Sequence, residues 1–422
     1  MQKKIIALAV AGLSTAAFAQ TNVTIYGVAD VSAQGDSVSQ AKATASKPSG
    51  NAFNLKSNSS LIGAKGTEAL GNGLTGLFQM EYNVGMTGAA SGASSTNSTV
   101  GDAQWGLRDT FVGLGSKYGT VLGGYLSTPF RSTLTSFDVM PGATGDGRIE
   151  SLMGKVGFAG TVANGAVSYT GAANSSVRAT ALAYAMPTLY GFNGSIAFTG
   201  QNNNGNSNQT TATGTVSSTG TAVTAVTANA LSALSMNLGW TGYGVNVAGA
   251  FQQAKLNVST PGIAVATSSS AIAYYPAAPT ALQGLTSYLV GASYTGMPGL
   301  KVSAVYNRNT LGTNAMGDVG AQKGSNNSVY VGASYRFGNN EPRLSWQHQS
   351  NTSGLAGVSQ NGAGQWTANW GYYLSKRTQV YGIVSAINNA AGAANNFASG
   401  NTVTPVAGNN LLTYGAGLRT NF

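Results

Sequence analysis

The chain has 422 residues, a formal charge of +10, 59 glycines, 19 tyrosines and no cysteine, and its mean hydropathy is close to zero. The missing cysteine excludes a disulfide framework, a thiol nucleophile and cysteine-based metal sites. So much glycine beside abundant Asn, Ser and Thr argues against a helical protein, because Gly and β-branched residues weaken helices.

Residues 1–19 read as an export signal. Lys3 and Lys4 give a positive start, Ile5–Val10 begins a short apolar core, and Ala17-Phe18-Ala19 supplies the small-x-small cleavage pattern. Cleavage after Ala19 leaves 19 basic against 11 acidic residues, a mature charge of +8. No later run approaches 18 consecutive apolar residues, the length a spanning helix needs. A hydropathy near zero is what a transmembrane barrel gives, since every second residue faces water.

Val23, Ile25, Gly27, Ala29 and Val31 alternate with Thr24, Tyr26, Val28 and Asp30, the pattern of a strand with one apolar face. A polar run from Gln34 to Ser57 predicts a long connection. Ser60–Ala69 and Thr75–Val84 then flank Leu70-Gly71-Asn72-Gly73-Leu74, a hairpin signal. After Gly85–Ala103 a second pair follows, Gln104–Leu114 and Gly119–Leu126. Beyond the stretch 127–175 the same rhythm predicts Val177–Met186 with Phe192–Gln201, Leu231–Thr241 with Tyr243–Ala254, and Leu285–Thr295 with Leu300–Asn309. Ser328–Phe337 with Arg343–Gln349, Gln365–Leu374 with Thr378–Ile387, and a last strand Leu411–Phe422 complete the series.

Sixteen strands with seven tight turns strictly alternate with eight long connections, the layout of an up-and-down outer-membrane barrel. The predicted fold is all-β: one 16-stranded antiparallel transmembrane β-barrel over residues 20–422, with the third long loop, about 127–175, folded into the pore. Lys155–Tyr169 reads as a possible further strand pair inside that loop. In the last strand Leu412, Tyr414, Ala416, Leu418 and Phe422 share the apolar face, which turns Arg419 into the lumen.

Catalytic patterns are scarce. His348 is the single histidine, so any Ser-His-Asp triad or histidine metal site must use it, and it shares a strand face with Leu344 and Trp346. That is the face assigned to lipid or a subunit contact. No zinc-protease, phosphate-loop or EF-hand pattern occurs, and no cofactor or metal is expected. The basic residues are scattered one or two per strand, which argues against nucleic acid.

Two sets of charges remain. Strand alternation puts Lys65, Arg108, Arg178, Lys301, Arg336, Arg343 and Arg419 opposite the apolar residues of their strands, on the lumen wall of a barrel. A positive wall raises the local concentration of anions; solvated charges without a role in selectivity are the alternative. The third long connection carries Arg131, Asp138, Asp146, Arg148 and Glu150, both signs together in a chain that is only 8% charged. Folded inward, it would set positive wall residues against carboxylates across the narrowest point.

The chain resembles the general trimeric porins of Gram-negative bacteria, in the branch typical of β-proteobacteria. The resemblance rests on Val23-Thr24-Ile25-Tyr26-Gly27-Val28-Ala29-Asp30, on the run from Ser60 to Leu74, and on Arg108-Asp109-Thr110-Phe111-Val112-Gly113-Leu114. Gly119-Thr120-Val121, Leu374-Ser375-Lys376-Arg377-Thr378 and the terminal Phe422 add to it. It implies a trimer in the cell outer membrane, in contact with lipid and lipopolysaccharide, through which small hydrophilic solutes and ions diffuse passively with a mild preference for anions. It also implies that Arg108, Lys65 and Arg178 belong to the pore wall. The chain departs from the pattern at Leu61 and Tyr125, where the family usually has arginine, and at Thr420, where it usually has histidine. A substrate-specific channel with a solute-binding third loop stays open, as do an outer-membrane barrel enzyme and a secreted soluble β-protein.

Overall fold

The computed structural model describes residues 22–39, 50–87, 105–140, 145–159, 170–200, 210–212, 226–260, 263–268, 271–275, 278–313, 322–354, 360–398 and 405–422. The export signal expected at 1–19 lies outside the described residues. The strands are β1 (Asn22–Ser39), β2 (Gly50–Ser57 with Leu61–Gly71), β3 (Leu74–Val84), β4 (Trp105–Leu107 with Thr110–Ser116) and β5 (Gly119–Ser127). Next come β6 (Arg178–Ala185), β7 (Phe192–Thr199, prolonged by Thr210–Ala212), β8 (Val226–Gly242), β9 (Val245–Thr260), β10 (Ala278–Tyr294) and β11 (Leu300–Thr313). The last are β12 (Gln322–Tyr335), β13 (Asn340–Gln349), β14 (Ala363–Tyr373), β15 (Thr378–Asn389) and β16 (Asn410–Asn421).

Each strand pairs antiparallel with the next, and β1 closes on β16 from Val28 opposite Asn421 to Ser39 opposite Asn410. At the seam Gly27 and Phe422 exchange two backbone hydrogen bonds of 3.0 Å. The result is a closed barrel of sixteen strands, which leaves no sheet edge unpaired in lipid. The terminal aromatic ring lies over Gly27, where a Cβ would stand 2.3 Å from it. The β2–β3 turn reverses on Asn72 (φ 50°) and Gly73 (φ 76°), the left-handed pair that a two-residue hairpin demands.

Alternation is clear over the described side chains of β10 to β15. On β11 the inward Ser303, Asn307 and Asn309 are buried while Val302 and Tyr306 are exposed on the outside. Near the turn end of the outer face, Tyr335 stacks on Phe337 at 5.7 Å and Phe337 meets Trp370 edge-on at 6.5 Å, part of an aromatic girdle.

Two expectations need correction. The first long connection is only 40–49, not 34–57, because Gln34–Ser39 and Gly50–Ser57 are paired strand. There the inward residues are polar (Gln34, Asp36, Asn54, Lys56) and the outward partners on β1 are small, so the segment imitates a loop; Phe53 and Leu55 on the outer face were the signal of a strand. The strand pair inside the third loop is Lys155–Ala159 with Thr170–Asn174, so its second arm falls later than expected and outside the barrel ladder.

Candidate functional site

The third loop leaves β5 at Thr128, whose Oγ1 accepts the Arg131 N–H at 3.3 Å and caps the helix α1 (Pro129–Ser136), with Pro129 in its first turn. Phe130, Leu134, Phe137, Val139, Met140, Ile149 and Met153 of the loop are buried together with Ala248 and Ala250 of β9, Leu289 of β10, Val305 of β11 and Tyr330 of β12. Those wall residues point into the barrel, so the loop lies inside it. Burying each large side chain contributes about 1.5–3 kcal/mol, which makes the docked loop a small core of its own.

Hydrogen bonds carry it further round the wall. Ser235 of β8 accepts the Phe130 N–H at 3.0 Å, and Tyr330 accepts the Val139 N–H at 3.1 Å. Gln347 of β13 donates to the Arg148 carbonyl at 3.1 Å, and Gln365 of β14 to that of Asp146 at 2.7 Å. On the return path Asn309 and Asn326 donate to the Lys155 carbonyl at 3.0 and 2.9 Å, and Gln349 does so at 2.6 Å. At the far end the Asp146 carboxylate meets Lys56 of β2 at 3.4 Å and Thr413 of β16.

The five predicted loop charges are thereby placed. Glu150 takes both Arg131 and Arg148 as ion-pair partners and accepts the Ser176 hydroxyl at 2.5 Å. Burial raises its carboxyl, but the two arginines outweigh burial and hold it at about 2. Burial lowers Arg131 to about 10. Asp138 accepts the backbone N–H groups of Met140 (2.8 Å) and Ile149 (3.1 Å) and the Tyr330 hydroxyl (3.3 Å). Burial still pushes its carboxyl up to about 6.

The wall cations have partners too. Arg108 pairs with Glu81 at 3.3 Å, Arg178 with Asp109 at 3.1 Å, Arg343 with Glu341 at 2.6 Å and Arg419 with Asp30 at 3.7 Å. Lys301 donates to the Ser136 and Asp138 carbonyls at 3.1 and 2.8 Å and so ties the loop to β11. Lys65 lies over the Tyr26 ring at 5.1 Å. Arg336 lies just past the end of β12, exposed, with its guanidinium 3.8 Å over the ring of Tyr373, whose hydroxyl in turn bonds Arg343 and Glu341 at the short-turn end of the inner face. Lys56 and Lys301 of the wall meet the loop at contact distance, through the Asp146 carboxylate and the Ser136 and Asp138 carbonyls, because a charge withdrawn from water is tolerated only beside a counter-charge or donor.

The family described as Gram-negative porin matches residues 6–392. The chain belongs to it. Among relatives, the porin is 30% identical over 211 residues to the major outer membrane protein P.IB of Neisseria gonorrhoeae, covering 50% of the chain and 51% of the relative. The match thus spans about half the length of that curated relative. In fold it is similar to an anion-selective porin from Comamonas acidovorans, with TM-score 0.66, 20% identity and coverage of 96% of this chain and 100% of that one. It is also similar to an in-vitro folded outer membrane protein of Vibrio cholerae in trimer form, with TM-score 0.56, 12% identity and coverage of 95% and 99%. Family and barrel together place the porin in the outer membrane.

Sequence reasoning singled out the cations of the wall and missed its carboxylates. Glu81 lies between inward Gln79 and Asn83, and Asp36 continues the inward series Asp30, Ser32, Gln34. The same alternation that found the arginines would have found them. Arg108 and Asp109 sit at a break in β4 opposite Glu81, which lets neighbouring residues serve different partners on the inner wall. Leu61 stands inward opposite Val28 and Asn83. His348 is on the outer face, stacked on Trp346 at 6.0 Å and 4°.

Proposed function

We propose that this porin is a general diffusion channel, in which small hydrophilic solutes and ions pass between the third loop and the inner wall of β2–β6. The observation that carries the reading is the loop's attachment. Its anchors run from β8 to β16 and on to β2, which leaves the charged wall with Lys65, Glu81, Arg108, Asp109 and Arg178 to form the other side of the passage. Filtering there is steric and electrostatic, without a reaction. Arg131, Arg148 and Glu150 form the loop's charged rim, while Asp138 and Asp146 fix its far side.

A mild anion preference follows from the mature charge of +8, and the Comamonas acidovorans neighbour is an anion-selective porin. The pairing of Arg108, Arg178, Arg343 and Arg419 with carboxylates leaves a weak residual field, so the preference is small and fades with salt as the Debye length falls from about 10 Å at 0.1 M to about 3 Å at 1 M. A homotrimer in outer-membrane lipid, exported through a cleaved segment 1–19, is the assembly this reading implies.

Single-channel recording in a planar bilayer with a KCl gradient tests it. Stepwise currents in multiples of three, with a small reversal potential on the anion side, are expected. Reversal on the cation side would overturn the selectivity, and a folded barrel that opens no channel would overturn the function. A saturable current blocked by one solute would instead favour the substrate-specific channel.

A further inference from the structure

The open wall is not polar throughout. On its inner face Val28 of β1 stands opposite Leu61 of β2, and Leu61 stands opposite Asn83 of β3. One inward pair nearer the short turns, Tyr26 is opposite Gly63. The Tyr26 ring lies across that glycine, where a Cβ would come within 2.7 Å of its Cζ. Residues two apart on a strand are about 7 Å from each other on one face, so the ring adjoins Leu61 and Val28. All three side chains are partly exposed. They make an apolar platform among Asp30, Ser60, Asn83 and Glu81.

Cations rim this platform. Lys65, exposed, holds its ammonium 5.1 Å from the centre of the Tyr26 ring and has no carboxylate partner among the described residues. Arg108 donates through Nε to Glu81 at 3.3 Å and through Nη1 to Asn83, the neighbour of Leu61, at 2.9 Å. Its Nη2 keeps two N–H donors without an acceptor among the described residues. On the other flank Arg419, opposite Asp30, approaches that carboxylate only to 3.7 Å. The carboxylates nearby are engaged: Glu81 accepts from Tyr26 (2.7 Å) and Gln79 (3.2 Å), and Asp30 from Tyr381 (2.6 Å) and Asn58 (3.3 Å). Spare cationic donors around an apolar surface complement a solute with a flat apolar body and one anionic head.

We propose that Tyr26, Val28 and Leu61 form a subsite in the passage for organic monoanions with a flat apolar body, aromatic carboxylates being the type. The apolar body lies on the platform while the carboxylate reaches Arg108 or Lys65. The proposal rests on the diffusion path described above and adds the class of solute that the path retains. About 55 Å² of apolar contact, at about 25 cal/mol per Å², is worth roughly a factor of ten in affinity. That holds a solute briefly at the wall without trapping it.

Chloride current through many channels in a planar bilayer would be measured at neutral pH while three solutes are added in turn. Benzoate is the probe, gluconate is a bulkier hydrophilic monoanion, and benzamide has the same ring without the charge. In the wild-type porin benzoate should halve the current at a concentration about tenfold below that of gluconate, and benzamide should block no better than gluconate. Leu61→Ser and Val28→Ser should each bring the benzoate value towards that of gluconate, whereas Leu344→Ser on the outer face should leave their ratio alone. Equal block by benzoate and gluconate in the wild-type porin would overturn the subsite, leave the diffusion channel standing, and need no variant to fold. Equal block by benzamide and benzoate would overturn the part given to the cations. A ratio unchanged in both Leu61→Ser and Val28→Ser would overturn the placement on this wall. A barrel that opens no channel would overturn the diffusion reading and the subsite with it.

Discussion

The two halves of the inner wall are built from different chemistry. Where the loop lies against it, the wall offers amides and hydroxyls: Asn307, Asn309, Asn326, Gln347, Gln349, Gln365 and Ser385, all buried. Where the loop leaves it open, the wall carries ion pairs, Arg108 with Glu81 and Arg178 with Asp109, each partly exposed. The difference follows from solvation. A neutral amide can satisfy a loop carbonyl in a dry contact at small loss, whereas an unpaired charge there would forfeit its hydration. Water in the passage keeps the ion pairs solvated and lets them act on passing ions.

The sharpest way to break the contrast is to put an uncompensated charge on the covered side. Glu150→Gln leaves Arg131 and Arg148 buried without their carboxylate, and should weaken loop docking by about 3–5 kcal/mol. Single-channel records should then show larger, noisier openings, and the urea midpoint should fall; unchanged records would mean the knot does not hold the loop. Asn309→Leu removes one of the donors on the Lys155 carbonyl and should destabilise by about 1–3 kcal/mol, read in the same two measurements.

A third change is one of pH. The Asp138 carboxyl, raised to about 6 from its ordinary 3.8, favours the docked loop most below pH 3.8, and that contribution is lost as pH rises through about 6. Glu150 behaves oppositely: held at about 2 below an ordinary 4.5, it contributes above pH 4.5 and is lost as pH falls through about 2. Of these two carboxylates only Asp138 changes between pH 7.5 and 5, so current fluctuations should quieten on acidification. Asp138→Asn should flatten this response; a variant with the wild-type pH profile would locate the sensor elsewhere.

The smallest effect belongs to the open wall. Arg108→Gln changes a partly exposed pair worth about 0–1 kcal/mol, so stability should hardly move. Its reversal potential should shift towards cations at 0.1 M KCl and much less at 1 M. A shift that persists at high salt would point to a change in pore shape.

Much of the architecture was legible in the chain. Period-two alternation and turn residues such as Asn72-Gly73 gave sixteen strands and the side on which the long loops lie, because one face of each strand meets lipid and the other water. Reading failed where that contrast is weak: at Gln34–Ser39 the outer face is small and the inner one polar, and nothing in the local pattern separates strand from loop. For the site, the residues were named more successfully than their relations. Alternation turns Arg108, Arg178 and Arg419 away from the apolar faces and sets Asp30 on the polar face of β1, but their pairing with Glu81, Asp109 and Asp30 lies outside it.

By itself, then, the sequence determined the barrel, its strand number and the inward set of side chains, since these depend on contrasts between neighbours along the chain. Only the tertiary structure decided that Glu150 binds two arginines, that Asp146 reaches Lys56 across 90 residues, and which half of the wall stays open. Those facts depend on where a loop of some fifty residues settles, and that is set by apolar and polar surfaces contributed by strands from β8 round to β16 and β2, for which local periodicity carries no signal.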